Sequence, residues 1–167
     1  STVSYADGDM DGYLDVDTVD KLQCIENEGL SKDYELTSDI DASGTDQWNG
    51  GSGFEPIGAA NTGLTGTFAG RGHTISGLYI NRHSSDYLGL FARVGTGGRV
   101  EAVGVENVDI TGAQELGGLV GINFDTVTTS YVTGSISGTD RVAGLVGDNR
   151  GGTVSESYTN VTVSGDR

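Results

Sequence analysis

Gly117-Gly118-Leu119-Val120-Gly121 and Ala143-Gly144-Leu145-Val146-Gly147 are one phrase written twice, their Gly-Leu pairs 26 residues apart, and Leu88-Gly89-Leu90-Phe91 is a third version 29 residues upstream. A second phrase follows each of them. Val100-Glu101-Ala102-Val103-Gly104-Val105, Val127-Thr128-Thr129-Ser130-Tyr131-Val132 and Val154-Ser155-Glu156-Ser157-Tyr158-Thr159 are offset by 27 and again by 27 residues. A third phrase closes each unit: Val108-Asp109-Ile110-Thr111-Gly112, Gly134-Ser135-Ile136-Ser137-Gly138 and Val161-Thr162-Val163-Ser164-Gly165. Self-similarity at a fixed period marks a repeat architecture, and it governs every later assignment.

Each unit offers three short runs rich in β-branched residues between Gly, Asn and Asp turns, which is the spacing of strands and not of helices. Strands this short cannot bury an apolar face alone. Successive units must therefore stack, and a parallel β-solenoid (β-helix) is the all-β architecture that stacks them. The glycines are expected to supply positive φ at the corners and to let neighbouring turns approach closely. Upstream, Ile75-Ser76-Gly77-Leu78-Tyr79-Ile80 matches the second phrase, with Ile75 25 residues before Val100. Fainter strands over 34–40, 54–57 and 64–68 extend the series to an expected four to five coils.

The composition narrows the class further. There are 29 glycines but a single proline and no period of three, which excludes collagen. The formal charge of −15, from 24 acidic against 9 basic residues, argues against nucleic acid or an anionic membrane as partner. No apolar run approaches the ~20 residues that span a bilayer, so membrane insertion of this segment is not expected. Lys21 and Lys32 are the only lysines, a bias that suits high salt, where screening relieves self-repulsion. Cys24 is the sole cysteine, so no intrachain disulfide forms, and it reads as a small buried hydrophobe.

Most of the acidity lies at the start: residues 1–48 hold 13 of the 24 carboxylates and two cations. Within them, Asp7-Gly8-Asp9-Met10-Asp11-Gly12-Tyr13-Leu14-Asp15 places carboxylates at loop positions 1, 3, 5 and 9 and glycine at 6. That is the first half of a calcium-loop pattern, in which alternate carboxylates turn onto one centre and the Tyr13 carbonyl adds a hard oxygen. Position 12 is Thr18 where a bidentate Glu is usual, leaving Asp17 or Asp20 as substitute. The expected ligands of a structural Ca2+ are Asp7, Asp9, Asp11, Tyr13, Asp15 and Asp20. Val16, Val19, Leu22 and Ile25 then recur every third residue between Asp17 or Thr18 as N-cap and Gly29 as stop, which predicts a short amphipathic helix. Solenoid ends need covering, so this helix is expected to cap the first coil. The chain thus divides into residues 1–33, an acidic calcium loop and capping helix, and residues 34–167, the solenoid. No comparable cap is legible at the far end, where further solenoid coils or domains of a longer parent chain are expected.

The cores Gly118-Leu119-Val120-Gly121 and Gly144-Leu145-Val146-Gly147 resemble the GLUG-motif repeat family of bacterial and archaeal surface and adhesin-like proteins. So do Tyr34-Glu35-Leu36-Thr37-Ser38-Asp39-Ile40-Asp41, Pro56-Ile57-Gly58 and Gly66-Thr67-Phe68-Ala69-Gly70-Arg71-Gly72-His73-Thr74-Ile75, in the expected order. Gly89-Leu90-Phe91-Ala92 departs from the core at its last position. The resemblance implies a right-handed solenoid on a secreted or cell-surface protein, an adhesin module or stalk with no catalytic residues. Its partner would be a cell-surface glycan or protein ligand.

Parallel β-helices also degrade polysaccharides, so the alternative is weighed on the residues. Glycoside hydrolysis needs two carboxylates about 5–9.5 Å apart across a groove. Asp39 and Asp41, two apart on a strand, share a face, but they lie in the stretch shared with the surface family, where turn and surface roles are expected. His73, in a turn entering a strand, reads as a corner residue, and His83 as surface. A third alternative is a structural spacer in a surface layer or viral appendage. Tyr131 and Tyr158 occupy equivalent places and predict a stacked ladder. Trp48, the only tryptophan, lies in a Gly/Asn/Ser-rich loop where it packs over the first coil or meets a ligand. Asn160-Val161-Thr162 is an N-glycosylation pattern.

Overall fold

The computed structural model describes residues 3–165; Ser1, Thr2, Asp166 and Arg167, and with them the outer limits of both expected units, lie outside it. The chain is mostly β and winds into a parallel solenoid of about three turns. Its first sheet stacks Leu14–Val16, Tyr34–Leu36, Thr67–Ala69, Arg99–Glu101, Thr126–Thr128 and Thr153–Ser155, every pair parallel. The second sheet stacks Ile40–Asp41, Thr74–Ser76, Gly104–Thr111, Tyr131–Ser137 and Tyr158–Ser164, with Tyr79–Asn81 also paired to Gly104–Thr111. Phe91–Val94, Val120–Asn123 and Val146–Asn149 form the third, and Gln114–Leu116 pairs with Asp140–Val142 in a small fourth.

Register reproduces the repeat. Val100, Val127 and Val154 face one another across the first sheet, 27 residues apart, and Phe91, Val120 and Val146 across the third. Aliphatics in register fill the coil: Phe68, Val100, Val105, Val120, Val127 and Val132 are fully buried, and Phe68 meets Phe91 edge to face at 5.1 Å. Each such side chain contributes about 1.5–3 kcal/mol by leaving water. The Gly-Leu cores stitch consecutive turns through backbone bonds, Gly118 N–H to Gly144 O at 3.0 Å and Leu119 N–H to Leu145 O at 3.1 Å.

Two expectations need correction. The second phrase is not one strand, because a corner cuts it at Ala102, Thr129 and Glu156, stacked residues with φ of 53°, 52° and 49°. Consequently Ile75 pairs with Val105, and it is Phe68 that meets Val100. The corners of the repeats are thus turned largely by non-glycine residues in the left-handed region. The glycines of the Gly-Leu cores serve closeness instead: a Cβ on Gly117 would sit 2.6 Å from the Leu145 carbonyl oxygen, and one on Gly118 2.7 Å from that of Gly144.

A helix, Val19–Glu28, interrupts the early coils. Thr18 is its N-cap, with Oγ1 accepting from Lys21 N–H, and Gly29, at φ 142°, ends it by donating to Ile25 O. Leu22 and Ile25 are fully buried in the same hydrophobic cluster as Val16, Tyr34 and Leu36. Tyr34 bonds the Gly29 carbonyl at 2.7 Å, tying the end of the helix to the first sheet, and Tyr5 bonds that of Lys21 at 2.5 Å, tying its first turn to the N-terminal segment. No helix among the described residues is long and apolar enough to cross a membrane. In the last described coil Val154, the counterpart of buried Val127, is 39% exposed, and Tyr158, the counterpart of half-buried Tyr131, is 62% exposed.

Candidate functional site

The acidic loop folds on its own carboxylates. Asp7 accepts from the backbone N–H groups of Asp11 (3.0 Å) and Gly12 (2.9 Å), Asp9 from Asp11 (3.3 Å), Asp11 from Tyr13 (2.9 Å) and Asp15 from Gly8 (3.0 Å). Gly12 makes this turn possible at φ 95°, a conformation costly for residues with a Cβ. One oxygen from each of Asp7, Asp9 and Asp11 lies within 4.8 Å of the others, the only such acidic, His or Cys group among the described residues. Met10 projects from the tip, 88% exposed.

Three like charges this close need compensation, and Arg71 supplies part of it. Its guanidinium reaches Asp11 at 3.3 Å and Glu35 at 2.7 Å, and lies 4.8 Å from the centroid of the Tyr13 ring. The Glu35 side chain is only 8% exposed, so this contact pins the loop to the solenoid wall. Sequence reading missed Arg71, whose partners lie 36 and 60 residues away. Of the expected ligands, the structure gathers Asp7, Asp9 and Asp11, turns Asp15 onto Gly8, and sets Tyr13 beneath Arg71. Asp17 pairs with Lys21 at 2.8 Å, and Asp20 lines a separate cleft with Gln23, Cys24, Trp48, Asn49 and Glu55.

The residues weighed for hydrolysis sit in structural roles. Asp39 accepts from Thr74 N–H (2.9 Å) and meets His73 Nδ1 (3.1 Å), contacts that hold its carboxyl below the usual range, the backbone bond most strongly. Asp41 is lowered in the same sense by Ser43, first through its side chain and then through its N–H, which reaches the carboxylate at 2.9 Å. At the opposite end, the almost buried Glu115 carboxylate is held by Arg141 and, at 3.8 Å, by Arg150, both of which also approach Asp148.

No family model matches the chain, and no solved structure does. Two proteins resemble it in sequence. Halomucin of Haloquadratum walsbyi is 37% identical over 153 residues, which are 89% of this chain and 2% of that protein. A protein of Evansella cellulosilytica described as a Gly-rich membrane protein is 34% identical over 101 residues, 59% of this chain and 11% of that protein. The chain therefore spans a small fraction of the length of either relative, and it resembles one stretch of a mucin by name and one of a membrane protein by name.

Proposed function

We propose that this chain is a non-enzymatic, extracellular module of a cell-surface protein, a right-handed GLUG-type solenoid that attaches a surface to glycan or protein, or holds other domains away from it. The observation that carries this reading is the likeness over 89% of the chain to a small stretch of Halomucin. It is supported by a core spent on in-register packing and by Asp39, Asp41 and His73 being engaged in turns. The scarcity of lysine and the charge of −15 fit a salt-adapted exterior, in keeping with that relative.

The helix Val19–Glu28 serves as the N-terminal cap, placing Leu22 and Ile25 over the first coil. Beside it, Asp7, Asp9 and Asp11, with Asp15 and the Tyr13 carbonyl, hold a structural Ca2+ that neutralises the crowded carboxylates. Their oxygens keep free lone pairs beyond the backbone bonds, so the donor set fits a hard cation. A further coil or domain of the parent protein covers the open edge at Val154 and Tyr158.

The test is attachment against turnover. Beads coated with the chain are offered to cells and to cell-wall polysaccharides at the salt of the native habitat, and released reducing ends are assayed in parallel. Retention of the beads without new reducing ends is expected. Polysaccharide cleavage that is lost on substitution of Asp39 or Asp41 would overturn the reading.

A further inference from the structure

Between the helix and the loop that follows Ile40–Asp41 lies an open cleft of about 330 Å3, lined by Asp20, Gln23, Cys24, Trp48, Asn49 and Glu55. We propose that it is a binding site for an amine-bearing saccharide, a hexosamine whose amino group is free. The proposal rests on the reading of the chain as an attachment module and names a ligand class and a place for it.

One wall is a fixed indole. Asn49 and Gly50 both take left-handed conformations after Trp48 and fold the chain back. The loop is then closed by Gly53 N–H to Trp48 O (3.0 Å), Ser52 N–H to Asn49 O (3.2 Å) and Asn49 Nδ2 to Gly53 O (2.8 Å). The Trp48 ring stacks on the fully buried Phe54 at 6.3 Å and 24°. One face of the half-buried ring is thus used in packing, and Trp48 is among the residues that line the cleft. A ring held in this way loses little freedom on binding.

The other walls carry charge that the fold leaves unused. Gln23 reads the backbone of Glu55 in both directions, Nε2 to its carbonyl at 2.8 Å and its N–H to Oε1 at 2.9 Å, which locks helix to loop and consumes the Gln23 amide. The side chains of Asp20 and Glu55, by contrast, make no hydrogen bond or ion pair among the described residues. An exposed aromatic face accepts the flat C–H face of a pyranose. Two unpartnered carboxylates beside it accept charge-assisted hydrogen bonds from an ammonium, and the indole adds cation–π attraction. The same carboxylates, within a field of net charge −15, repel uronic and sulfated sugars. A free hexosamine satisfies all three conditions together.

Trp48 is the only tryptophan of the chain, so its fluorescence reports this cleft alone. The folded chain is titrated with tetra-glucosamine, with tetra-N-acetylglucosamine, which keeps the pyranose backbone but carries uncharged acetamido groups in place of the amines, and with tetra-galacturonate. A saturable change in emission with tetra-glucosamine is expected, at least tenfold weaker with the acetylated sugar and none with the uronate. The pair Asp20→Asn and Glu55→Gln should remove that tenfold preference while leaving the melting temperature near its original value, which keeps the test valid if Trp48→Ala disturbs folding. Trp48→Ala, followed by calorimetry, should lose binding. No saturable change with tetra-glucosamine, equal affinity for all three sugars, or a preference that survives the carboxamide pair would overturn the proposal. A chain that binds tetra-glucosamine but lies inside the cell would overturn only the surface reading; a surface chain blind to all three sugars would overturn only this one.

Discussion

The ring of Tyr131 lies on that of Tyr158, one coil further, with centroids 5.1 Å apart and planes 6° from parallel. The backbone register that places them, Tyr131 against Tyr158 and Ile136 against Val163, makes the pair a direct readout of the stacking. Tyr131 also donates its hydroxyl to Glu106 at 2.5 Å, on the preceding coil. That bond, with burial second, pushes the Tyr131 phenol up to about 12. Because the folded value is raised, the associated stability is complete below the ordinary tyrosine value of 10.0 and is lost as pH rises from there through about 12. Spectrophotometric titration at 295 nm should show one late-ionising phenol vanish in Tyr131→Phe and ionise earlier in Glu106→Gln. Loss of an ordinarily ionising phenol in Tyr131→Phe, or a late phenol that Glu106→Gln leaves unchanged, would refute the contact.

The Gly-Leu cores set up a second expectation. Gly117→Ala or Gly118→Ala should lower stability by about 1–3 kcal/mol, the usual cost of overpacking, since backbone oxygens of the next coil block the new methyl group. Gly44→Ala is the control: no atom lies within 4 Å of the added Cβ and its φ is not positive, so thermal melting should barely change. Equal effects at the three positions would contradict close approach as the role of these glycines.

Arg71 joins the acidic loop to the first coils. Arg71→Ala leaves the Glu35 carboxylate nearly buried without its cation and should cost about 1–2 kcal/mol, the lower part of the range for a hydrogen bond to a charged group because Arg71 is 44% exposed. Adding Glu35→Gln should recover part of that loss in a double-mutant cycle of urea melts. Additive losses would show the two side chains to be uncoupled.

For the cation, calcium at a hundredfold excess over its dissociation constant stabilises by about 2.7 kcal/mol. In a chain of this size that raises Tm by roughly 5–10 °C. Melting in chelator at fixed ionic strength should show this fall, and Asp9→Ala should melt alike with and without calcium. No effect of chelation on the unsubstituted chain would remove calcium from the account.

The parallel stacking was legible because it is periodic: Val127 and Val154 keep their 27-residue offset in sequence and in register. The helix was legible from its own caps and threefold spacing. The place of the corners was not. Ala102, Thr129 and Glu156 carry no residue-type signal for positive φ, which stacking imposes on them and glycine does not invite. Ile75 pairs with Val105 and not Val100 because the early coils are longer than the later ones, Phe68 to Val100 spanning 32 residues, so an offset taken from the regular repeats fails there. The site was legible only where it is local: alternate carboxylates at Asp7, Asp9 and Asp11 announce themselves, whereas Arg71 reaches Asp11 across 60 residues and Gln23 meets the Glu55 backbone across 32.

If this solenoid works outside the cell as part of a surface protein, it must be reachable from outside in the producing cells. Antibodies raised against residues 3–165 are applied to intact and to lysed cells, with brief external protease treatment in parallel. Equal labelling of intact and lysed cells, with loss of the signal after protease, is expected. Labelling that emerges only on lysis and resists external protease would contradict the surface reading.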